Sequence, residues 1–309
     1  MNDLVIIGGG PAASAAAVYA ARKRLKTVLV AGEFGGQSTV STDIQNWIGT
    51  PHIAGADLAK SLKAHVLEYA DDFLNVKEGF LVTGIKGETG NFTVTLDHGE
   101  ALQTRTVLIA SGSNHRKIDI PGAAEFENKG LTYCASCDGP LFADQDVIVI
   151  GGGNAAFETA AQLLAYCKSV TLLNRSAKFR ADEITVAQTL KDPKFRAITE
   201  IEFVDVYGTD FVDGMTIRYT ADKREEKIEG KGIFVEVGQI PNSGYVKDFV
   251  DQDPGGQIKI DPRTQATSHV GVWAAGDVTD VLYHQNNIAA GDAVRALEDI
   301  YIWLHKNRP

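Results

Sequence analysis

Two stretches of sequence decide the fold: LVIIGGGPAA at residues 4–13 and VIVIGGGNAA at residues 147–156. In each of them, four apolar residues typical of a buried parallel strand lead into three glycines and then into an alanine-rich segment that favours a helix. A further strand is predicted after each helix, at residues 27–30 and 170–173. The predicted fold class is therefore α/β, with two Rossmann-like nucleotide-binding domains of the three-layer ββα type.

The spacing of the glycines in both stretches predicts dinucleotide binding. Gly8–Ala13 and Gly151–Ala156 each follow the pattern Gly-x-Gly-x-x-Ala. The first glycine permits a tight turn, the second lets the backbone approach a pyrophosphate, and the small third residue allows the helix to pack closely on the strand. The start of the helix adds free N–H groups and a partial positive charge. A plain strand–helix turn is the alternative for one copy, and the repetition favours nucleotide binding for both.

The residues that follow the second strand of each unit bear on the ribose of the nucleotide. Glu33 lies near the position where an acid binds a ribose hydroxyl, and a solvated loop carboxylate is the alternative. The second unit has no acid there, but Asn174 and Arg175, with Lys178 and Arg180 following. This pattern favours the 2′-phosphate of NADPH over NADH, and a solvated basic loop is the alternative.

A pair of cysteines lies between the two glycine patterns, in the segment Cys134-Ala135-Ser136-Cys137-Asp138. A structural zinc site needs four ligands, and the third cysteine, Cys167, stands alone, so we predict no metal site and a core role for Cys167. An inert buried dithiol is a second alternative. The spacing favours a redox-active disulfide, because a helix start lowers the pKa of the first thiol. Asp138 is then either an acid–base group or a helix-capping carboxylate.

The order of the predicted elements indicates that one domain is inserted into the other. Further strands are predicted at residues 80–85, 92–96, 107–109, 232–237 and 272–275, and a closing helix at residues 288–305. Clusters of turn-forming residues at 111–114 and 238–244 predict two linkers. We therefore predict a discontinuous first domain, residues 1–113 and 243–309, and a second domain, residues 114–242, that carries the cysteine pair.

The composition restricts the class of protein. Among 309 residues, Lys and Arg total 30 and Asp and Glu total 40, which gives a net charge of −10. An acidic chain without a basic block is not expected to bind nucleic acid or anionic lipid. No apolar run approaches the roughly 18 residues of a membrane helix, so we expect no membrane span, and the N-terminus lacks the pattern of a signal peptide. Three cysteines fit a reducing compartment and predict a cytoplasmic protein.

The motifs together resemble the low-molecular-weight thioredoxin reductases, which are FAD- and NADPH-dependent pyridine nucleotide disulfide oxidoreductases. The resemblance covers nearly the whole chain, and its ordered combination of motifs is specific. The motifs are Gly8–Ala13, Gly35-Gly36-Gln37, Asn46-Trp47, Ala110-Ser111-Gly112, Tyr133–Gly139, Gly151–Ala156 and Ala274–Val278.

The resemblance implies a role for each motif. Cys137 would lie against the flavin, and Cys134 would attack the disulfide of a partner. The first domain would bind FAD, and the second would bind the nicotinamide nucleotide. The predicted FAD-binding residues are Gly8, Gly10, Pro11, Ala12, Ala13, Glu33, Gln37, Asn46, Ser111, Gly112, Gly276, Asp277, His284, Gln285 and Asn286. The predicted residues for NADPH or NADH are Gly151, Gly153, Asn154, Ala155, Ala156, Glu158, Asn174, Arg175 and Arg180.

Two departures from the family pattern concern the ligands. Asn174-Arg175-Ser176 replaces the usual His-Arg-Arg, which weakens the preference for NADPH, and His284-Gln285-Asn286 replaces Arg-Gln-Ala near the flavin. A second resemblance, carried by residues 62–66, 130–133 and 137–142, is to the NADH-preferring flavoprotein of alkyl hydroperoxide reductase. That family has an extra N-terminal domain with its own cysteine pair, and here the first strand begins at residue 4.

The sequence thus predicts an enzyme that passes electrons from NAD(P)H through FAD and the Cys134–Cys137 disulfide to thioredoxin or a thioredoxin-like redoxin. A homodimer is the expectation from the family. The alternatives are a peroxiredoxin or redoxin reductase of the alkyl hydroperoxide reductase type, a ferredoxin-dependent or diaphorase-type flavoprotein, and a redox sensor with the same fold.

Overall fold

The computed structural model describes residues 1–41, 43–70 and 73–307. Its chain forms two compact units, Met1–Asn114 with Ile240–Pro309 and His115–Gln239. The strands in chain order are β1 (Asn2–Ile7), β2 (Thr27–Ala31), β3 (Leu74–Glu78), β4 (Val82–Glu88), β5 (Asn91–Leu96), β6 (Ala101–Ile109), β7 (Ser113–His115), β8 (Leu131–Thr132), β9 (Asp146–Ile150), β10 (Ser169–Leu173), β11 (Phe195–Ile198), β12 (Ile201–Gly208), β13 (Val212–Tyr219), β14 (Glu225–Glu229), β15 (Gly232–Val235), β16 (Gln239–Pro241) and β17 (Val272–Ala274).

Within the described residues, six α-helices and three short 3₁₀ helices accompany these strands. The α-helices are α1 (Pro11–Arg22), α2 (Gly55–Glu68), α3 (Ala135–Asp138), α4 (Asn154–Leu164), α5 (Glu183–Thr189) and α6 (Asn286–Lys306). The 3₁₀ helices are Gly36–Val40, Gly139–Phe142 and Gly244–Val246. Among the described residues, no helix combines the length and the apolar character that a bilayer crossing requires.

The first unit is built on a seven-stranded sheet of order β3-β2-β1-β6-β5-β4, with β17 also paired to β6. β1, β2, β3, β6 and β17 run parallel, whereas β4 and β5 form an antiparallel extension. β1 pairs with β2 on one side and β6 on the other, with Ile7 opposite Ile109. The strand order therefore reverses at β1, and in open α/β sheets such a switch point is where ligands bind, outside the carboxyl ends of the strands.

The second unit is built on an all-parallel five-stranded sheet of order β11-β10-β9-β15-β8. Here the order reverses at β9, which pairs with β10 and β15 and places Ile150 opposite Val235. An antiparallel sheet, β12-β13-β14, completes the unit. The two units thus repeat one arrangement of strand, glycine turn and helix, as the two sequence stretches predict.

Small side chains bring α1 and α6 close together over the first sheet. Ala16, Ala17 and Ala20 of α1 are fully buried in the same core as Leu297 and Ile300 of α6. Burial of each such Leu or Ile contributes about 1.5–3 kcal/mol. The alanine-rich composition of α1 therefore reflects a close helix contact as well as helix propensity.

Several elements differ from the sequence prediction. The predicted strand at 80–85 begins at Val82, and β3 and the sheet β12–β14 were not predicted. β14 has the sequence EEKIE, whose charged residues hide the alternation of a strand, and its Glu225 pairs with Arg218 on β13 at 2.6 Å. The two predicted linkers are not simple turns, since β7 and β16 within them pair as a two-stranded sheet.

Candidate redox and nucleotide sites

The two cysteines of the Cys-x-x-Cys segment form a disulfide at the start of α3. Cys134 and Cys137 are joined with Cα atoms 5.3 Å apart, and both side chains are half-buried. Cys134 is the N-cap residue, and its Sγ accepts a hydrogen bond from the N–H of Cys137 at 3.1 Å. That N–H stabilises negative charge on Cys134 when the pair is reduced, whereas the four-residue α3 has little dipole of its own.

A half-buried acid lies beside this disulfide. The carboxylate of Asp138 accepts a hydrogen bond from the hydroxyl of Thr132, which in turn accepts one from the N–H of Cys134 at 3.3 Å. Burial raises the pKa of Asp138, and the bond from Thr132 opposes that rise. The carboxylate makes no capping hydrogen bond. The structure thus gives Asp138 no capping bond, and its acid–base role stays a prediction.

Residues of α4 hold the disulfide segment on the second unit. Gln162 donates from Nε2 to the carbonyl of Ala135 at 3.2 Å and accepts from the hydroxyl of Ser136 at 3.2 Å. A Cβ built on Gly139 would lie 2.2 Å from the hydroxyl of Tyr166, so only glycine permits this approach. Sequence reasoning missed Thr132, Gln162 and Tyr166, because nothing in their spacing marks them as neighbours of the cysteines.

The glycine turn of the second unit fits a phosphate group. Gly151 has φ +149°, and a Cβ there would lie 2.4 Å from the carbonyl oxygen of Glu236, at the end of the neighbouring strand β15. A Cβ on Gly153 would meet only open space. Gly153 is the N-cap of α4, with no side-chain cap and no acid in the first turn. Its first N–H groups are therefore available to an anion.

The asparagines predicted to contact the nucleotide hold the loop after β10. Asn174 is buried, and its Nδ2 donates to the carbonyls of Ser176 and Lys178 at 2.8 and 3.1 Å. Asn154 accepts from the N–H of Asp182 at 2.8 Å through Oδ1. The N–H of Arg180 donates to the carbonyl of Gly152 at 2.6 Å. These bonds hold a basic loop beside the glycine turn.

The other residues predicted to bind the nicotinamide nucleotide include both exposed and buried side chains. The side chains of Arg175 and Arg180 are exposed on the basic loop, where a 2′-phosphate would meet them. Ala155 and Glu158 are exposed on α4, whereas Ala156 is buried. The structure therefore brings this predicted set together around one turn of the second unit.

Glu236 is a further carboxyl group of the second turn that the sequence analysis missed. It follows β15 directly, and its Oε1 accepts from the hydroxyl of Thr159 at 2.8 Å. Burial raises its pKa to about 7, with a further contribution from the charge of Glu158. An acid directly after a buried strand was the available signal, because strand ends at a switch point face the ligand.

The glycine turn of the first unit has the same backbone design. Gly8 has φ +131°, and a Cβ on it would lie 2.1 Å from the carbonyl oxygen of Ala110. A Cβ on Gly9 would lie 1.9 Å from the carbonyl oxygen of Glu33, whereas a Cβ on Gly10 would meet open space. Gly10 is the N-cap of α1, again without a side-chain cap or a first-turn acid. These residues fit the pyrophosphate of a dinucleotide such as FAD.

Two more glycines complete the surroundings of the first turn. A Cβ on Gly36 would lie 3.5 Å from Cα of Gly10, and a Cβ on Gly276 would lie 3.3 Å from the Cβ atoms of Ala12 and Ala289. Burial raises the pKa of the adjacent Asp277, and the charge of His284 opposes that rise. The turns at 35–37 and 276–277 therefore lie beside the starts of α1 and α6.

The remaining residues predicted for the flavin form two hydrogen-bonded groups in the first unit. In one, Gln37 donates to the carbonyl of Ser113, and Ser111 donates to the carbonyl of Asn242 at 2.7 Å. In the other, Asn46 donates to Gln285 at 3.1 Å and Ser38 donates to Asn286 at 2.9 Å. Glu33 points its side chain to solvent, and Gly112 has φ +67° with open space at its Cβ position.

No cluster of three or more His, Cys, Asp or Glu side chains suited to a metal ion occurs in residues 1–41, 43–70 and 73–307.

Comparisons with known proteins agree with this geometry. The chain is 38% identical over 296 residues to an alkyl hydroperoxide reductase subunit of Pseudomonas putida, and 35% identical over 305 residues to a Bacillus subtilis protein named NADH dehydrogenase. The match to the Pseudomonas putida protein includes 95% of this chain and 56% of that relative, and the match to the Bacillus subtilis protein includes 99% of this chain and 59% of that relative. The chain therefore spans little more than half the length of these relatives. The crystal structure of thioredoxin reductase from Streptococcus pyogenes superposes with a TM-score of 0.91 at 32% identity, covering 99% of both chains.

The family model for pyridine nucleotide-disulphide oxidoreductases matches residues 2–293. Enzymes of this family use a flavin and a pyridine nucleotide. The resemblance and the fold class predicted from the sequence are confirmed. The chain belongs to the pyridine nucleotide-disulphide oxidoreductase family.

Proposed function

We propose that this chain is a FAD-dependent reductase that takes electrons from NADPH or NADH and delivers them, through Cys134 and Cys137, to the disulfide of thioredoxin or a thioredoxin-like redoxin. The observation that carries the proposal is the disulfide at the start of α3 with a half-buried acid beside it. The likeness to the thioredoxin reductase of Streptococcus pyogenes, over the full length of both chains, supports it.

The two cofactors are assigned to the two units. FAD is proposed to bind at the first turn, with its pyrophosphate at Gly8–Ala13 and its other parts along residues 35–37, 111–112 and 276–277. The nicotinamide nucleotide is proposed to bind at the second turn, with Arg175 and Arg180 near its ribose. Bound FAD supplies the carrier that accepts a hydride from the nicotinamide and gives two electrons to a disulfide.

The chain's own residues carry out disulfide exchange with the partner. The thiolate of reduced Cys134 attacks one sulfur of the partner disulfide, so that a mixed disulfide forms and the partner's S–S bond breaks. The released partner thiolate takes a proton from Asp138. Cys137 then returns its proton to Asp138 and attacks the sulfur of Cys134, which restores the intramolecular disulfide and releases the second partner sulfur as a thiolate that takes a proton from water. The partner has gained two electrons, and the dithiol has lost two.

The position of Cys134 supports its assignment as the attacking thiol. Its Sγ accepts the N–H of Cys137, and such a bond favours the thiolate over the thiol. Cys137 has no such donor among the hydrogen bonds of the described residues. The first thiol of the pair is therefore the better nucleophile at neutral pH.

Reduction of thioredoxin, followed through insulin precipitation, tests the proposal. The FAD-loaded wild type is expected to turn over with NADPH or NADH, and Cys134→Ser is expected to lose redoxin reduction while its flavin is still bleached by the nucleotide. Unimpaired reduction of thioredoxin by Cys134→Ser would overturn the relay. Light scattering on the same sample tests the predicted homodimer.

A second candidate function follows from the identity to the alkyl hydroperoxide reductase subunit of Pseudomonas putida and from Asn174-Arg175-Ser176 in the basic loop. It is an NADH-dependent reductase of a peroxiredoxin or its redoxin. A higher kcat/KM with NADH than with NADPH, together with faster peroxiredoxin than thioredoxin reduction, would favour it. Flavin reduction without any redoxin turnover would favour the diaphorase-type alternative.

A further inference from the structure

We propose that Thr132 is the positioning residue of the redox site: its hydroxyl holds the Asp138 carboxyl and the Cys134 backbone in the one arrangement that allows proton transfer during disulfide exchange. The inference rests on the proposed function, because it assigns a residue to the exchange step. Thr132 would touch neither the partner disulfide nor a cofactor and acts through Asp138.

Strand pairing holds the backbone of Thr132 in place independently of its side-chain contacts. Thr132 ends β8, which pairs in parallel with β15, where Thr132 lies opposite Phe234. Its side chain is 7% exposed. A hydroxyl held in this way has few orientations available to it, so both of its hydrogen bonds are well defined.

The hydroxyl of Thr132 both donates and accepts a hydrogen bond. Its single hydrogen is donated to the carboxylate of Asp138, and its oxygen accepts the N–H of Cys134 at 3.3 Å. A backbone hydrogen bond also joins these residues, because the N–H of Asp138 donates to the carbonyl of Cys134 at 3.0 Å. Thr132 therefore links the acid to the attacking cysteine and does not merely fill space.

Other groups around Asp138 do not duplicate this contact. In the described part of the chain, no cationic side chain forms an ion pair with Asp138. Tyr166, which follows the end of α4, lies next to Gly139, and burial raises the pKa of this phenol, so it stays neutral. Tyr133 beside the disulfide also stays neutral, since burial raises its pKa to about 12.

Two opposed effects act on the acid. Burial favours the protonated carboxyl, and donation from Thr132 favours the carboxylate. An acid that must release a proton to a leaving thiolate and later recover it needs both forms to be accessible. Removing the Thr132 hydroxyl removes the stabilisation of the carboxylate, so Asp138 would hold its proton more tightly and in a less defined orientation.

The test uses the full chain loaded with FAD, reduced with dithiothreitol, desalted under nitrogen and mixed with small disulfides, so that neither nucleotide nor redoxin is needed. An alkyl disulfide, hydroxyethyl disulfide, releases a basic thiolate that needs a proton. An aryl disulfide, dithiobis-nitrobenzoate, releases a weakly basic thiolate that leaves unaided. The variants are Thr132→Val, which keeps the shape, Thr132→Ser, which keeps the hydroxyl, and Asp138→Asn.

Thr132→Val is expected to slow the alkyl reaction roughly tenfold, and Asp138→Asn by about 10²-fold or more, in the range of a lost general acid. The aryl reaction is expected to stay within about twofold in both, since it needs no acid. Thr132→Ser is expected to restore the alkyl rate. In Thr132→Val, the pH above which the alkyl rate falls is expected to move upward.

Equal loss of the alkyl and aryl rates in Thr132→Val would overturn the inference, because it would show only a distorted disulfide segment. Unchanged alkyl kinetics in Thr132→Val would also overturn it, as would failure of Thr132→Ser to restore the rate. A wild type that fails to reduce thioredoxin yet shows the expected alkyl and aryl difference would reject the proposed function and keep the role of Thr132.

Discussion

The two glycine turns have the same backbone conformation and differ in the side chains around them. Gly8 and Gly151 both have a large positive φ, and a Cβ on either would collide with the carbonyl oxygen of the residue after the neighbouring parallel strand. In the first unit that residue is Ala110, and in the second it is Glu236. The fold imposes the glycine, whereas the chemistry at the turn depends on residues that the fold leaves free.

The second glycine of each pattern shows the same division. Gly9 is approached by the backbone oxygen of Glu33, and Gly152 by the side-chain amide of Asn174. At this position the nearest contact in the first turn is therefore a backbone atom, whereas in the second turn it is the buried side chain of Asn174. Substitutions at matched positions should separate what the backbone requires from what the side chains add.

The largest effects are expected at the first glycine of each turn. Gly8→Ala and Gly151→Ala would each cost roughly 2–6 kcal/mol, from the strain of positive φ and from collision with a carbonyl oxygen. Gly8→Ala is expected to lose bound FAD, and Gly151→Ala to keep FAD but lose flavin reduction by nucleotide. Flavin absorbance and stopped-flow bleaching measure the two losses.

Gly10→Ala and Gly153→Ala are the matched controls. Both positions have negative φ, −78° and −99°, and open space for a Cβ. Stability is expected to change by less than about 1 kcal/mol, while the methyl group blocks the phosphate at its own turn. Full FAD affinity in Gly10→Ala would contradict the proposed place of the pyrophosphate.

Glu236 is expected to make the second unit less stable as the pH rises. The pKa of this carboxyl is about 7 in the folded chain, against 4.5 for an ordinary glutamate. The folded state therefore keeps a proton that the unfolded state releases, and its stabilising contribution is complete below pH 4.5 and lost as the pH passes through about 7. Since one pKa unit equals 1.36 kcal/mol, the loss is at most about 3 kcal/mol.

Glu236→Gln should remove this pH dependence, and the exposed Glu158→Gln should leave it largely intact. Hydrogen exchange of β15 between pH 5 and pH 8 is the suitable measurement. All three tryptophans, Trp47, Trp273 and Trp303, lie in the first unit, so their fluorescence would not report on the second. Equal pH dependence in Glu236→Gln and wild type would show that another group is responsible.

Asn174→Asp tests the side chain that closes the second turn. It replaces two donated hydrogen bonds with a carboxylate facing two carbonyl oxygens, which should cost about 2 kcal/mol. Glu33→Ala, the counterpart in the first turn, should change stability by less than about 0.5 kcal/mol, because its side chain is exposed. Urea denaturation monitored by circular dichroism provides both values, and equal losses would refute the contrast between the turns.

The exposed arginines of the basic loop are expected to affect nucleotide binding and not stability. Arg175→Ala with Arg180→Ala should raise KM for NADPH by roughly tenfold, as expected for lost charge-assisted bonds to a phosphate, and leave KM for NADH nearly unchanged. Steady-state kinetics with both nucleotides decides the matter. A parallel rise in both KM values would mean that the loop does not contact a 2′-phosphate.

Features set by neighbours in the sequence were predictable. Local patterns predict the strands β1 and β9, their glycine turns and the helices that follow. A tight turn from strand to helix requires glycine at fixed positions, and the sequence shows these glycines. The Cys-x-x-Cys disulfide is equally local. These constraints act within about ten residues, and the sequence shows them directly.

Features set by distant partners were not predictable. Glu236 meets Thr159 across 77 residues, and Gln162 meets Ala135 across 27. Thr132 was quoted as part of a family motif, but its contact with Asp138 depends on a turn of backbone that spacing alone does not fix. The strands β12–β14 were missed because their charged side chains, which pair with one another, obscure the apolar residues that the same strands bury in the core of the second unit.

The split in the first unit has a consequence for synthesis on the ribosome. β6 lacks one of its two parallel neighbours until β17 has been made, and the buried alanines of α1 lack their cover until α6 has been made. Residues 115–239 leave the ribosome before either partner exists, so the second unit can complete its sheet first. At about 5–20 residues per second, the first unit remains open for roughly 10–40 seconds of translation, during which its apolar helix face is accessible to chaperones.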